Sequence, residues 1–169
     1  MPRLLALAAL VGVAACGPRA ALLPATYPDD FAVAYEWNTG PVSPEYFRTE
    51  TLDIASSGEG RLASARQEER HEVSFRLTPA QMQALYADLR AAGVAGPFRE
   101  PTGPMPVGGS SWELTVTADG ATVRVPSAGA SRDAATKERL TRVLEGAVPA
   151  ATRAEMDAWI ASTAPPEPN

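Results

Sequence analysis

The stretch HEVSFRLTPAQMQALYADLRAAGV, residues 71–94, places a strand pattern directly before a helix pattern and so decides the fold class. Its first part alternates between a largely apolar face and a polar face, which is the period of a half-buried strand. The apolar face carries His71, Val73, Phe75 and Leu77.

The second part of this stretch has the signals of a helix at both ends. Thr78 and Gln81 are spaced as a capping box, and Pro79 occupies the first helical position. Gly93 supplies a left-handed stop. The spacing therefore predicts a helix over 79–92, with one apolar stripe made of Met82, Leu85, Leu89 and Ala92.

Downstream, Asp119-Gly120 separates two alternating runs, residues 112–118 and 121–125. Asp-Gly between alternating runs is the strongest short hairpin signal. A two-residue turn would pair Val116 with Val123, which places the apolar residues of both strands on one face.

Upstream, three further strands are predicted at residues 31–37, 46–54 and 61–66. The third is weakly apolar, which predicts an edge strand. Near the C-terminus, Ser131 is predicted to cap a helix that ends at Pro149, and Thr152 with Glu155 forms a second capping box for a short helix. The pattern predicts an α+β fold, an antiparallel sheet of about five to six strands with two to three helices packed on one face.

The N-terminal residues MPRLLALAALVGVAAC, 1–16, have the pattern of an export signal. Arg3 precedes an apolar run over 4–15, which is shorter than the ~20 residues that span a bilayer. Residues 1–15 are therefore predicted to be a signal peptide. A plain secretory signal cleaved near Ala15, with Cys16 as an incidental thiol, stays open as the alternative.

Val13-Ala14-Ala15-Cys16 resembles the lipobox of bacterial lipoproteins. The resemblance implies that Cys16 receives a diacylglycerol, that cleavage occurs before it, and that its amino group takes a further acyl chain such as palmitate. It also implies a cell-envelope location, with the membrane as a partner through this lipid anchor. Gly17 in place of an aspartate favours the periplasmic face of the outer membrane in a diderm host.

The remaining chain is predicted to hold a flexible tether at 16–30, a single domain at 31–161 and a disordered tail at 162–169. With 15 basic and 20 acidic residues the net charge is −5, which argues against nucleic acid as a partner. The single His71 and single Cys16 argue against a transition-metal site, and no cofactor motif is present. No catalytic constellation is recognisable, so the chain is predicted not to be an enzyme.

Aromatic and methionine side chains near strand ends and in the long loop 96–111 form the predicted interaction surface, because such side chains anchor partners. These candidates are Phe98, Met105, Trp112, Trp37 and Tyr46. The alternative is a purely structural role, in which the tryptophans belong to the core. The mature domain is similar to a class of uncharacterised small bacterial envelope proteins with the same order of strand, Thr-Pro helix and Gly-Gly-Ser hairpin.

The predicted function is a lipid-anchored, non-catalytic binding module for an envelope protein or a cell-wall component. One alternative is a carboxylate-dependent hydrolase of cell-wall glycan, which needs two acidic side chains ~5–10 Å apart. The other alternative is a purely structural envelope lipoprotein. The acidic side chains considered for the hydrolase are Glu36, Glu45, Glu50, Asp53 and Glu113.

Overall fold

The computed structural model describes residues 23–98, 109–127 and 133–165. Six antiparallel strands form one sheet, and the α+β prediction is confirmed. The strands are β1 Ala32–Asn38, β2 Arg48–Ile54, β3 Glu59–Arg66, β4 Glu69–Arg76, β5 Ser111–Ala118 and β6 Ala121–Val125. The helices are α1 Pro79–Ala92, α2 Ala134–Ala147 and α3 Ala150–Ser162, and a 3-10 turn covers Pro44–Tyr46.

The sheet order is β4-β3-β2-β1-β5-β6, so the first strand of the chain lies near the centre. In the register of β1, Tyr35 lies opposite Leu52 on one side and Leu114 on the other. These residues share the face that packs against the helices, because the same apolar core includes Met82, Leu89, Leu140, Leu144 and Met156. The alternate residues form a polar face on the other side of the sheet, termed here the open face.

The helix α1 begins and ends as predicted. The Thr78 hydroxyl accepts a hydrogen bond from the Gln81 amide at 3.3 Å, and the Gln81 side chain accepts one from the Thr78 amide at 2.9 Å. Gly93 ends the helix with φ +94°, a left-handed conformation that costs glycine little.

The predicted hairpin is also confirmed, with Val116 opposite Val123. Its turn residues Asp119 and Gly120 have positive φ. The Asp30 carboxylate accepts hydrogen bonds from both turn amides, at 2.6 and 2.7 Å. The start of the folded chain therefore fixes a turn that lies far away in sequence.

Two local predictions are wrong. The strand predicted as an edge, β3, lies between β2 and β4. Its small side chains are covered rather than exposed: Ala63 and Ser64 are both buried. Helix α3 begins at Ala150 after Pro149, and Thr152 is buried inside it rather than capping it. A capping box needs its threonine at the N-cap position, which Pro149 occupies in this helix.

The segment predicted as a tether contacts the domain from Leu23 onward. Leu23 is only 6% exposed, and the Tyr86 hydroxyl donates to the Pro24 carbonyl at 2.7 Å. Tyr27 packs edge-on against both Phe31 and Tyr86. The packed domain thus includes residues 23–30, upstream of the predicted boundary at 31.

Thr163, beyond the predicted domain boundary at 161, also contacts the domain. The Arg66 guanidinium donates to the Thr163 carbonyl at 2.6 Å, so Thr163, within the predicted tail, contacts the sheet. Residues 166–169 of that tail lie outside the described residues.

Candidate functional site

The most promising site is a recess of about 660 Å³ between the covered face of the sheet and helices α2 and α3. We term it the sheet-helix groove. Strands β1, β2 and β5 form its floor, and residues from both helices form its walls. Its aromatic lining consists of Tyr35, Trp37 and Trp112.

Strand register brings these three rings together. Trp37 and Trp112 lie directly opposite one another on β1 and β5. Tyr35 is two residues before Trp37 and therefore shares its face. The Tyr35 and Trp112 rings are 5.7 Å apart and tilted by 46°. All three are half-buried, so each has one part in the fold and another facing the groove.

A carboxylate at the groove floor pairs with two arginines. The Glu50 side chain is 15% exposed and its Oε1 accepts from Arg153 Nη1 at 2.9 Å. Its Oε2 is 3.8 Å from Arg48 Nη1. Arg48 also lies over the Trp37 ring, 4.7 Å from the centroid. Glu50 is therefore the partner that keeps two partly buried cations in place.

The Tyr35 hydroxyl stays protonated at neutral pH. Burial raises the pKa of Tyr35, and the negative charge of Glu50 raises it further. A protonated phenol can donate a hydrogen bond but cannot act as a base. Tyr35 therefore offers the groove a neutral ring and a donor.

Two other carboxylates line the groove at its exposed side. Glu145 lies on α2 and Asp157 on α3, and both are exposed. Among the described residues neither has a hydrogen bond or an ion pair. Neither side chain therefore has a direct partner of the kind that Glu50 has, although Asp157 acts electrostatically on Arg48.

Lys137 lies outside the groove lining, next to Trp112, and connects α2 to the sheet. Its ammonium lies 5.0 Å from the centroid of the Trp112 ring. It donates to the carbonyl oxygens of Pro126 and Ser127, at 2.6 and 3.0 Å. Burial lowers the pKa of Lys137. Its donors are directed to the end of β6, so it fastens α2 to the sheet beside Trp112.

Of the predicted interaction-surface residues that the structure describes, Trp37 and Trp112 lie together in the groove lining. Trp112 is half-buried and also packs against the core. Tyr46 lies in the 3-10 turn outside the groove lining, and Phe98 packs against the core. Met105 and Cys16 lie outside the described residues.

The five acidic residues considered for a hydrolase do not all lie in one place. Glu50 is on the covered face and Glu45 is in the 3-10 turn. The other three share a recess of about 160 Å³ on the open face, lined by Glu36, Asp53 and Glu113. Arg124 holds Glu113 with two hydrogen bonds, at 2.9 and 2.6 Å, and these lower the pKa of Glu113. Within the described ranges no group of three His, Cys, Asp or Glu residues could hold a metal ion.

A separate apolar patch lies beside the 3-10 turn. Val42 is 46% exposed and Phe47 is 40% exposed, and both line a shallow cleft with the β3-β4 turn residues Gln67 and Glu68. This patch has no charged residue of the groove in its lining, so it is a distinct surface.

Sequence reasoning missed most of the charged residues of the groove. Tyr35 could have been found, because its alternation with Trp37 places it on the same face. Glu50 and Arg153 are 103 residues apart, and no local pattern links them. Their pairing depends on how α3 packs on the sheet.

Among the described helices, none has the length and apolar character needed to cross a bilayer. No protein-family model matches the chain, and no curated protein matches it.

Proposed function

We propose that this protein is a non-catalytic binding module, anchored in the bacterial cell envelope by lipid on Cys16, that binds an envelope protein or cell-wall component in the sheet-helix groove. The observation that carries the binding part is the convergence of Tyr35, Trp37 and Trp112 at one recess. The anchor part is supported by the sequence of residues 1–16.

The groove has the size and lining of a binding site. Ligand pockets commonly measure about 300–1,000 Å³ and combine apolar and aromatic walls with a few polar groups. Tyrosine and tryptophan are among the residues most enriched at energetic centres of interfaces. Because strands hold these rings, the surface is formed before a ligand arrives, which limits the entropy lost on binding.

The charged groups at the groove floor suit binding better than proton transfer. The Glu50 carboxylate accepts a hydrogen bond from Arg153 at 2.9 Å and lies 3.8 Å from Arg48, so its oxygens are already engaged within the protein. Tyr35 is held in its protonated form by burial. These restraints support a role in which the groove recognises a ligand without changing it.

Site-specific photo-crosslinking in the native envelope tests the binding proposal. A photoreactive residue at Ala161, which lines the groove, is compared with one at Ala158, an exposed position on the same helix outside its lining. We expect one discrete adduct from position 161 that is lost when Trp112→Ala is added. Identical adducts from both positions, or none from position 161, would refute the groove as the binding site.

The anchor is tested separately by Cys16→Ser. We expect the wild-type protein to yield a diacylglyceryl-modified N-terminal peptide in mass spectrometry and to sediment with membranes. The Cys16→Ser variant should accumulate as an uncleaved precursor. A variant that is cleaved and still membrane-bound would show that the lipobox interpretation is wrong.

The open-face recess favours one second candidate, a glycan hydrolase that uses Glu36 and Asp53. This candidate predicts that purified protein releases soluble fragments from cell-wall glycan and that Asp53→Asn abolishes the release. Absence of release by the wild-type protein would eliminate it. A purely structural lipoprotein would instead give no adduct at position 161 and a weakened envelope on deletion.

A further inference from the structure

The sheet-helix groove also indicates the charge of what it binds, an inference that rests on the proposed function. We propose that the groove takes a short protein segment that has apolar side chains and at least one lysine or arginine. The inference comes from the charges that line the groove, its rings and its apolar floor.

Both arginines of the groove lining already have a carboxylate partner within the protein, while the lining as a whole holds three carboxylates and two guanidinium groups. Arg153 and Arg48 both face Glu50, at 2.9 and 3.8 Å. An anionic ligand would have to compete with Glu50 for these guanidinium groups. If the ligand bound one of the two arginines, Glu50 would lose that ion-pair partner. The groove is therefore poorly suited to a carboxylate or phosphate ligand.

The anions that remain for a ligand are Glu145 and Asp157. They lie on different helices, both line the groove, and both are exposed. Asp157 is close enough to act electrostatically on Arg48, and Glu145 on Tyr35. A positive group entering the groove would therefore meet two carboxylates that have no ion-pair partner among the described residues.

The rings reinforce this preference, because the face of an aromatic ring attracts cations. Two of the rings already have a cation of the protein beside them, because Arg48 lies 4.7 Å from the centroid of the Trp37 ring and Lys137 lies 5.0 Å from that of Trp112. The third ring, Tyr35, is neutral and faces the same space. The ring that a basic side chain of a ligand can approach from the groove is therefore that of Tyr35.

The floor accounts for the apolar part of the ligand. Leu52 on the floor and Leu144 on the α2 wall are each 2% exposed. Ile160 on the α3 wall is half-buried. Apolar side chains that cover this wall would be removed from water on binding. The chain as a whole has a net charge of −5, so its long-range field also favours a basic partner over an acidic one.

Three probe peptides test this inference on the full-length lipidated protein in phosphatidylcholine nanodiscs. The probes are acetylated, amidated hexapeptides in which leucine alternates with lysine, glutamine or glutamate. Binding is followed by fluorescence of the protein's tryptophans, with protein-free nanodiscs as the blank. We expect the lysine peptide to bind about tenfold more tightly than the glutamine peptide, and the glutamate peptide to bind most weakly.

A charge-matched pair of variants locates the effect. Asp157→Asn with Glu145→Gln should weaken the lysine peptide about tenfold and leave the glutamine peptide unchanged. The control is Glu138→Gln with Glu155→Gln, which removes two exposed carboxylates from the same two helices outside the groove lining. The control should change the affinity of the lysine peptide less than about twofold.

Equal binding of the lysine and glutamine peptides would overturn the charge inference and leave the proposed function intact. Tighter binding of the glutamate peptide would show that the groove prefers an acidic ligand and would overturn the inference. Equal effects of the two double variants would show that the lysine side chains of the peptide bind outside the groove. Failure of all three peptides to bind at millimolar concentration would also overturn it. The binding part of the proposed function fails only in the crosslinking comparison of positions 161 and 158, and the anchor part only in the Cys16→Ser test.

Discussion

At the scale of single residues, Glu50 is the side chain on which the charge balance of the groove depends. It is 15% exposed and is the shared partner of Arg48 and Arg153. Glu59 makes a comparable contact with Arg76 at 3.0 Å, but both side chains are more than 60% exposed. The two carboxylates therefore separate the effect of a partly buried ion pair from that of a solvated one.

We expect Glu50→Gln to lower the free energy of unfolding by about 1–3 kcal/mol, because two partly buried guanidinium groups lose their counter-charge. The matched variant Glu59→Gln should cost at most about 1 kcal/mol, since exposed ion pairs contribute little. Urea unfolding with an unchanged m-value measures both. Equal losses in the two variants would mean that burial does not strengthen the Glu50 pairs.

Asp30 gives the protein a pH-dependent contribution at its hairpin turn. Hydrogen bonds from the Gly120 and Asp119 amides lower the pKa of Asp30. A carboxyl with a lowered folded-state pKa stabilises the fold above its unfolded pKa of about 3.9, and this contribution is lost as pH falls through the folded-state value. We expect Asp30→Asn to flatten the fall in stability below about pH 4.

The measurement for Asp30 is urea unfolding at a series of pH values from about 6 to 2. Asp29→Asn serves as the control, because Asp29 is the exposed neighbour and makes neither turn hydrogen bond. A profile for Asp30→Asn that parallels the wild type throughout would contradict the assignment.

At the residue scale, alternation along a strand predicts which side chains share a face of the sheet. The sequence predicts Trp37 and Trp112 as surface candidates, and strand register brings them together. From sequence, Glu50 stands out only as a possible hydrolase carboxylate. Its actual partner Arg153 lies on a helix whose position depends on tertiary packing, which no short-range pattern encodes.

At the scale of elements, helix α1 shows how far local signals reach. Its capping box and its glycine stop follow from a few adjacent residues, and both are present. The hairpin at Asp119-Gly120 is predictable for the same reason. The edge prediction for β3 is wrong because the position of a strand within a sheet is set by its neighbours, and its own apolarity does not report them.

Two glycines next to or within helices should respond oppositely to alanine. Gly93 has φ +94°, so Gly93→Ala forces a side chain into left-handed backbone and should cost about 1–2 kcal/mol. Gly146 lies inside α2, and nothing lies within 4 Å of the place where an added methyl group would sit, so Gly146→Ala should stabilise by about 0.5–1 kcal/mol. Thermal unfolding followed by circular dichroism measures both, and shifts of the same sign would contradict this account.

At the scale of the whole molecule, residues 23–30 pack against α1, which is distant in sequence. The Tyr86 hydroxyl contacts the Pro24 carbonyl at 2.7 Å, and Arg90 donates to the Ala25 carbonyl at 2.9 Å. This proline-containing segment has no apolar period, and for that reason its sequence predicts a tether. Its packing depends instead on single contacts with a distant helix.

We expect Tyr86→Phe to cost about 0.5–1.5 kcal/mol, because the Pro24 carbonyl loses its donor while the ring contacts stay. Amide hydrogen exchange should accelerate selectively in residues 23–31. Tyr27→Phe keeps the same ring cluster and is the control, since the Tyr27 hydroxyl makes no hydrogen bond among the described residues. Exchange that is accelerated equally across the sheet would indicate global destabilisation instead.

The early docking of Leu23 limits how far the domain can stand from an attached membrane. If Cys16 carries the lipid as proposed, only the six residues 17–22 lie between it and Leu23. A segment of this length spans at most about 25 Å even when fully extended. The domain would then stay within a short distance of the bilayer surface. Ligands attached to the same surface would therefore be present at a high effective concentration.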